Sequence, residues 1–169
     1  LVTVARHTEF DPLNRAAKFD LTNDYVTYNG LTPAEFGGTG SYSVEFWFKA
    51  DSRHQGDMLA LQGASAGGHM LLLETESNGA IRFLHRNVPS SSGGFDLQVA
   101  NAYLADEWYH LAAVNDAGTM LLYLNGNVIG TRTGTSAWVD NMNMLMGRLT
   151  TSDSSRSFQG LIDEVALFN

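Results

Sequence analysis

Two adjacent carboxylates, Asp163 and Glu164, sit in the middle of an apolar stretch at the end of the chain, FQGLIDEVALFN over residues 158–169. Successive side chains of a strand point to opposite faces, so Asp163 shares a side with Val165 and Leu167, and Glu164 with Ala166 and Phe168. A carboxylate turned toward an apolar interior needs hydrogen bonds, a base or a metal ion. An early acidic turn supplies companions. If a strand at 16–20 pairs with the terminal one, Asp20, Asn23, Asp24 and Asp163 could hold a structural calcium ion, which takes about six to eight oxygens. Without a metal, Asp20 and Asp24 read as ordinary turn residues, and Asp163 as a carboxylate capping backbone amides.

A second constellation suits sugar recognition, which sets an aromatic face against the ring's C–H side and planar polar groups against its hydroxyls. Trp138 lies in a loop-like segment and is followed by Asp140 and Asn141. Arg82, His85 and Arg86 cluster toward the end of one strand-like run, with His69 and His54 elsewhere. The candidate ligand contacts are therefore Trp138, Arg82, His85, Arg86, His69 and Asp140. A large loop aromatic also serves to plug one end of a β-sandwich, and Trp138 fits that reading equally. The histidines show no HxH or HExxH spacing, which leaves zinc without support. His110, between Tyr109 and Leu111, reads as a partly buried core residue. Glu74 and Glu76 share a strand face, as a glycosidase pair would, but they run into the Asn78-Gly79 turn and are expected to face solvent. No nucleophile elbow or phosphate-binding glycine loop is present, so catalysis is not expected.

The elements that must position these residues are short. Seventeen glycines and three prolines punctuate alternating apolar runs. The runs fall at residues 16–20, 42–50, 57–62, 69–76, 80–86, 95–101, 107–115, 120–125, 127–132, 142–148 and 158–169. Asn78-Gly79, Asp116-Ala117-Gly118 and Asn125-Gly126 are tight-turn signals between them, so segments 74–83 and 114–128 read as hairpins. Only residues 32–36 (TPAEF) suggest a helical turn, with Thr32 as cap and Pro33 at the first position. The pattern predicts an all-β, two-sheet antiparallel sandwich without substantial helix, as one domain over 1–169.

Composition narrows the partners. Hydrophobic residues at 44% and charged residues at 17% describe a chain that buries a core. A net charge of −8 argues against a phosphate-backbone partner such as nucleic acid. No apolar run approaches the ~20 residues of a membrane helix, so no membrane insertion is expected. Cysteine is absent, which removes disulfides and thiolate metal sites. A chain that starts at Leu1 is expected to be a module excised from a longer protein.

Lys18-Phe19-Asp20 with Asp24-Tyr25-Val26, then SVEFWFKA (43–50), EWYHLA (107–112), MLLYLNG (120–126), Met146-Gly147-Arg148 and the terminal FQGLIDEVALFN resemble the laminin-G-like domains. These belong to the concanavalin A-like lectin and glucanase superfamily, near the pentraxins. The resemblance runs in order from about residue 16 to 169. It implies a two-sheet jelly roll, extracellular or at the cell surface, that binds carbohydrate or protein, often with calcium. It also places Trp47 and Trp108 in structural strands, hence in the core. Loop 147–157 (GRLTTSDSSRS) stands where pentraxins hold calcium. Only Asp153 supplies a carboxylate there, so a solvated loop is expected instead. The superfamily's glucanases carry E-x-D-x-x-E, and the stretch from Glu74 to Gly79 departs from it at the third and sixth positions. The implied function is a non-catalytic glycan-recognition module. The alternatives are a protein-interaction or spacer domain of a surface adhesin, and a polysaccharide-degrading enzyme.

Overall fold

Alternation decides the architecture. In Tyr42–Ala50 every second side chain is buried (Tyr42, Val44, Phe46, Phe48 and Ala50), while Ser43, Glu45, Trp47 and Lys49 between them are half-buried. One face of this strand packs a core and the other meets solvent, as a sandwich strand requires. A computed structural model describes residues 15–22, 24–64, 68–152 and 155–169. The described residues form twelve strands and no helix: β1 (Ala17–Asp20), β2 (Val26–Leu31), β3 (Tyr42–Ala50), β4 (Gly56–Gly63), β5 (His69–Thr75), β6 (Ile81–Ser90), β7 (Phe95–Val99), β8 (Tyr109–Asp116), β9 (Thr119–Leu124), β10 (Asn127–Thr133), β11 (Met142–Met146) and β12 (Gln159–Phe168).

They make two antiparallel six-stranded sheets. The first has the order β1-β12-β3-β8-β9-β10, the second β2-β11-β4-β5-β6-β7. The early strand β1 pairs with the terminal β12, with Ala17 opposite Ile162 and Asp20 opposite Gln159. Between the sheets, Phe46, Phe48, Leu111 and Leu122 of the first meet Leu59, Leu61, Leu73 and Phe83 of the second in one buried cluster. Each such side chain contributes roughly 1.5–3 kcal/mol on burial, which makes this layer the dominant stabilising term. The architecture is the all-β jelly-roll sandwich expected from the sequence.

Turn chemistry sets the registers. Ala117-Gly118 joins β8 to β9 and Asn125-Gly126 joins β9 to β10, and all four residues have positive φ. Two consecutive positive φ angles make a type I′ turn, whose twist matches that of the strands it joins. At 32–36 a single turn forms and stops. The Thr32 carbonyl accepts from Glu35 and Phe36 at 3.0 Å, and Glu35 Oε2 accepts from the Thr32 amide and hydroxyl at 2.9 and 2.7 Å. This is a capping box, closed off by Gly37 at φ 76°.

Three details differ from expectation. Strand β2 is present although no alternating run marks it, because all its residues except Leu31 are exposed. Trp47 and Trp108 are half-buried rather than core, and Trp47 lies on the outer face of β3. Finally, the strand from Gln159 to Phe168 carries a bulge between Asp163 and Ala166, where Glu164 takes φ 51°. The bulge shifts the alternation by one residue, so Ile162 and Val165 both reach the core.

Candidate functional site

The six candidate ligand residues separate into two places. Trp138 and His85 lie inside the sandwich, 1% and 0% exposed. Their rings stack 4.7 Å apart, and Trp138 also stacks on Tyr42 at 4.6 Å. The Trp138 indole N–H donates to the Arg86 carbonyl at 2.7 Å. His85 Nε2–H donates to the Ser136 carbonyl at 3.1 Å, which leaves Nδ1 to accept from the Tyr42 hydroxyl at 2.8 Å. Burial lowers the His85 pKa to about 4, so the ring is neutral. Trp138 therefore plugs one end of the sandwich, and neither group is the exposed sugar contact that the sequence suggested. Asp140 follows in the same loop, half-buried, and among the described residues no hydrogen bond or ion pair joins it to the arginines.

Arg82, Arg86 and His69 come together on the outer face of the second sheet. Register places Asp57 beside Glu74, Glu74 beside Arg82, and Arg82 beside Gln98 in one row across β4 to β7. Arg82 donates from Nη1 to Glu74 Oε1 at 2.7 Å and from Nε to Asp96 Oδ1 at 2.8 Å. Arg156, from the loop before β12, forms an ion pair with the other Glu74 oxygen and donates from Nη2 to Asp57 Oδ1 at 3.3 Å. Glu74 and Asp57 are fully buried beneath these guanidinium groups. The expectation that Glu74 faces solvent is thus corrected: the hairpin does form, but the arginines cover its outer face. In loop 147–157 the described residues Thr151, Ser152 and Ser155 are exposed, as expected of a solvated loop, while its two ends are pinned. Leu149 packs on a small outer cluster of Ala60, Leu72 and Leu84, and its carbonyl accepts from Gln62 Nε2 at 2.5 Å. Asp153 lies outside the described residues.

Beyond this cluster, Arg86 donates to the Gly93 and Ser90 carbonyls at 2.7 and 3.1 Å and so ties down the β6–β7 connection. A cleft of about 260 Å³ opens there, lined by Arg86, Asn87, Ser90, Ser92 and Phe95. His69 pairs across from Ser90. Burial, with Arg86, Arg156 and Arg82 nearby, lowers its pKa to about 4. The face therefore offers guanidinium donors in fixed orientation beside a neutral imidazole. Arg156, Asp57 and Asp96 escaped the sequence reading. The available signal was a lone arginine in a Ser/Thr-rich loop, together with acids in apolar strands that need a base.

The acidic residues proposed for calcium are not assembled as one set. Asp20 is opposite Gln159, so Asp163 stands four residues further along β12, roughly 13 Å away. Asp163 is 4% exposed and accepts from the Glu164 amide at 2.9 Å, the backbone-capping role at a bulge. Asp20 accepts from the Thr22 hydroxyl and from the Thr22 amide at 3.0 Å, and these bonds hold its carboxyl below the usual range. Arg148 Nη2 donates to the Thr22 carbonyl at 2.5 Å and its guanidinium lies 5.4 Å from the Tyr25 ring centre. A positive charge thus already stands at this turn. Among the described residues no group of three or more acids or histidines is placed to share a metal ion. Asn23 lies outside the described residues.

The family model for the concanavalin A-like lectin/glucanases superfamily, of the laminin G type, matches residues 20–169. Several solved structures share the fold. The mouse laminin α1 chain, domains LG4-5, is similar at TM-score 0.69 and 19% identity over 89% of this chain and 40% of that one. The native heptameric SAP-like pentraxin of Limulus polyphemus gives 0.65 and 14% over 98% and 73%. The Ruminococcus gnavus IT-sialidase CBM40 bound to α2,3-sialyllactose gives 0.65 and 15% over 85% and 90%. This chain thus spans less than half of the laminin fragment. No curated protein matches it. With the two-sheet jelly roll, the pairing of β1 with β12 and a family match over nearly the whole sequence, the chain belongs to the laminin G-like domains of the concanavalin A-like lectin/glucanases superfamily.

Proposed function

We propose that this chain is a non-catalytic, extracellular binding module that recognises a glycan carrying an acidic group. One observation carries the reading: Arg82 and Arg156 share the buried carboxylate of Glu74. A guanidinium held from beneath loses little entropy when its remaining N–H groups meet a carboxylate or sulfate, and its fork suits bidentate contact. His69, Arg86 and the adjoining cleft extend the same face. The Ruminococcus module of like fold was solved with sialyllactose, an acidic saccharide, and this supports the choice of ligand class. Catalysis is disfavoured by the same geometry, because Glu74 is closed off from solvent beneath the guanidiniums and cannot reach a glycosidic oxygen.

Affinity gels and a glycan array containing sialylated and uronic-acid saccharides test the reading. The wild-type chain is expected to bind at least one acidic glycan, more weakly as salt rises. Arg82→Lys and Arg156→Lys keep the charge but lose the fork, and each is expected to weaken binding about tenfold or more with the fold intact by thermal melt. A wild-type chain that binds no acidic glycan, with or without calcium, would defeat the proposal and leave the protein-interaction alternative standing.

A further inference from the structure

The two sheets end in four edge strands, and β2 differs from the other three. β10 and β7 cover each other. Arg132 Nη1 donates to the Asp96 carbonyl at 2.5 Å, and its guanidinium lies 5.9 Å from the Phe95 ring centre. A Cβ added at Gly130 would meet Val99 and Leu97 at 2.9 and 3.0 Å, so these two edges nearly touch. β1 is four residues long and carries Lys18 and Asp20. β2 has neither charge nor proline in its six residues, and the bulge at Gly30 turns only its far end. An unpaired, uncharged edge of that kind is a template for another strand.

β2 is also uncovered on its inner side. Val26 and Tyr28 stand opposite Met146 and Met144, which line the core, so all four share the core face. The methionines are buried, yet Val26 and Tyr28 are 46% and 44% exposed. The turn before them adds Tyr25 and Leu21, both exposed. Leu21 takes φ 73°, a backbone region that bulky apolar residues seldom adopt. Four of the nine exposed large apolar side chains among the described residues thus fall between Leu21 and Tyr28. The charges around them cancel. Arg15, Lys18 and Arg148, the last packed on Tyr25, balance Asp20, Asp24 and Glu35. The chain as a whole stands at −8.

We infer that β2 is a self-association edge, occupied by β2 of a second copy of this chain, antiparallel about a two-fold axis. Such a contact must be complementary to itself. Centred on Tyr28, the pairing sets Tyr28 against Tyr28, Thr27 against Asn29 and Val26 against Gly30. Ring meets ring, hydroxyl meets amide, and no like charges stand opposite. Copies of a chain at −8 repel one another, and they approach most easily where the local charge cancels. Four part-exposed side chains and one strand edge fall short of a standard interface of roughly 1,200–2,000 Å², so the dimer is reversible and concentration-dependent. The axis stands perpendicular to the second sheet, which continues across it, so both arginine faces point the same way. At about 4.8 Å per strand, the two Glu74 side chains stand seven strand spacings and roughly 35 Å apart. If the acidic-glycan reading holds, on which this one consequence rests, the dimer adds avidity for a surface of repeated ligands.

Sedimentation velocity on the full chain, from low micromolar to near-millimolar concentration, is expected to show a monomer–dimer equilibrium. Tyr28→Lys and Tyr28→Glu each set like charges across the axis and are expected to weaken association tenfold or more. Mixed in equal amounts they set unlike charges there and are expected to recover it, which a misfolded variant would not do. Thermal melts check each fold. A wild type that stays monomeric overturns the proposal and leaves β2 to a strand of a different protein. A dimer that Tyr28→Lys leaves at wild-type strength overturns it too, because another surface then joins the copies. So does a mixture that associates no better than its components. Neither variant touches Arg82 or Arg156, so binding of a monovalent glycan is expected to persist in both, and each reading stands or fails separately.

Discussion

Replacing Trp138 with alanine removes a ring that packs on Phe36, Tyr42 and His85 together. Two of those neighbours are tied to each other by a hydrogen bond, so the space left cannot readily collapse. A destabilisation of about 3–5 kcal/mol is expected, visible as a lower midpoint in denaturant melts with an unchanged slope. A variant with a wild-type midpoint would remove Trp138 from the packed end. The residue scale is also where the sequence misled. Its loop position made Trp138 look accessible, although the Arg86 carbonyl that anchors it belongs to a strand some fifty residues away. Trp47 went the other way. Alternation in Tyr42–Ala50 put it with Glu45 and Lys49 on the polar side, yet the family resemblance argued for the core. The period was the better guide, because a strand fixes facing more strictly than residue type does.

Elements were legible where one face is buried and illegible where neither is. Strands β3, β8 and β9 alternate because their inner faces pack the core, and the Asn125-Gly126 turn fixes its hairpin by positive φ. Strand β2 is an exposed edge, so its composition carries no period. Pairing of β1 with β12 followed from pattern, but the distance from Asp20 to Asp163 depends on a register that pattern does not supply. That register yields a test of calcium. Any rise in melting temperature with calcium, relative to chelator, is expected to vanish in Asp20→Asn or Asp24→Asn and to persist in Asp163→Asn. A wild-type chain without a calcium shift would end the calcium expectation. Asp163→Ala is expected to lose about 1 kcal/mol, since it removes the acceptor that holds the Glu164 amide at the bulge.

Across the whole molecule, two histidines make stability depend on pH. His69 and His85 are on different faces of the second sheet, and burial lowers both to about 4 from an ordinary 6.5. Between those values the unfolded chain binds protons at these sites and the folded chain does not. Stability therefore rises with pH through this window and is lost as pH falls from about 6.5 toward 4. Asp20 and Glu35, held below their ordinary values by hydrogen bonds to Thr22 and Thr32, add losses only at lower pH. Glu76 acts in the opposite sense, because burial raises its carboxyl and the folded state takes that proton first. Two histidines against one acid leave the net slope positive. Denaturant melts from pH 7.5 to 4.5 are expected to show the midpoint falling steadily below 6.5. His69→Gln is expected to remove about half of that fall, since it deletes one of the two linked protons without disturbing the stack of His85 on Trp138 and Tyr42. A midpoint that stays flat between pH 6.5 and 4.5 would mean that the two imidazoles are charged in the folded chain. In that case the arginine face would carry one more cation and the aromatic plug would have to open.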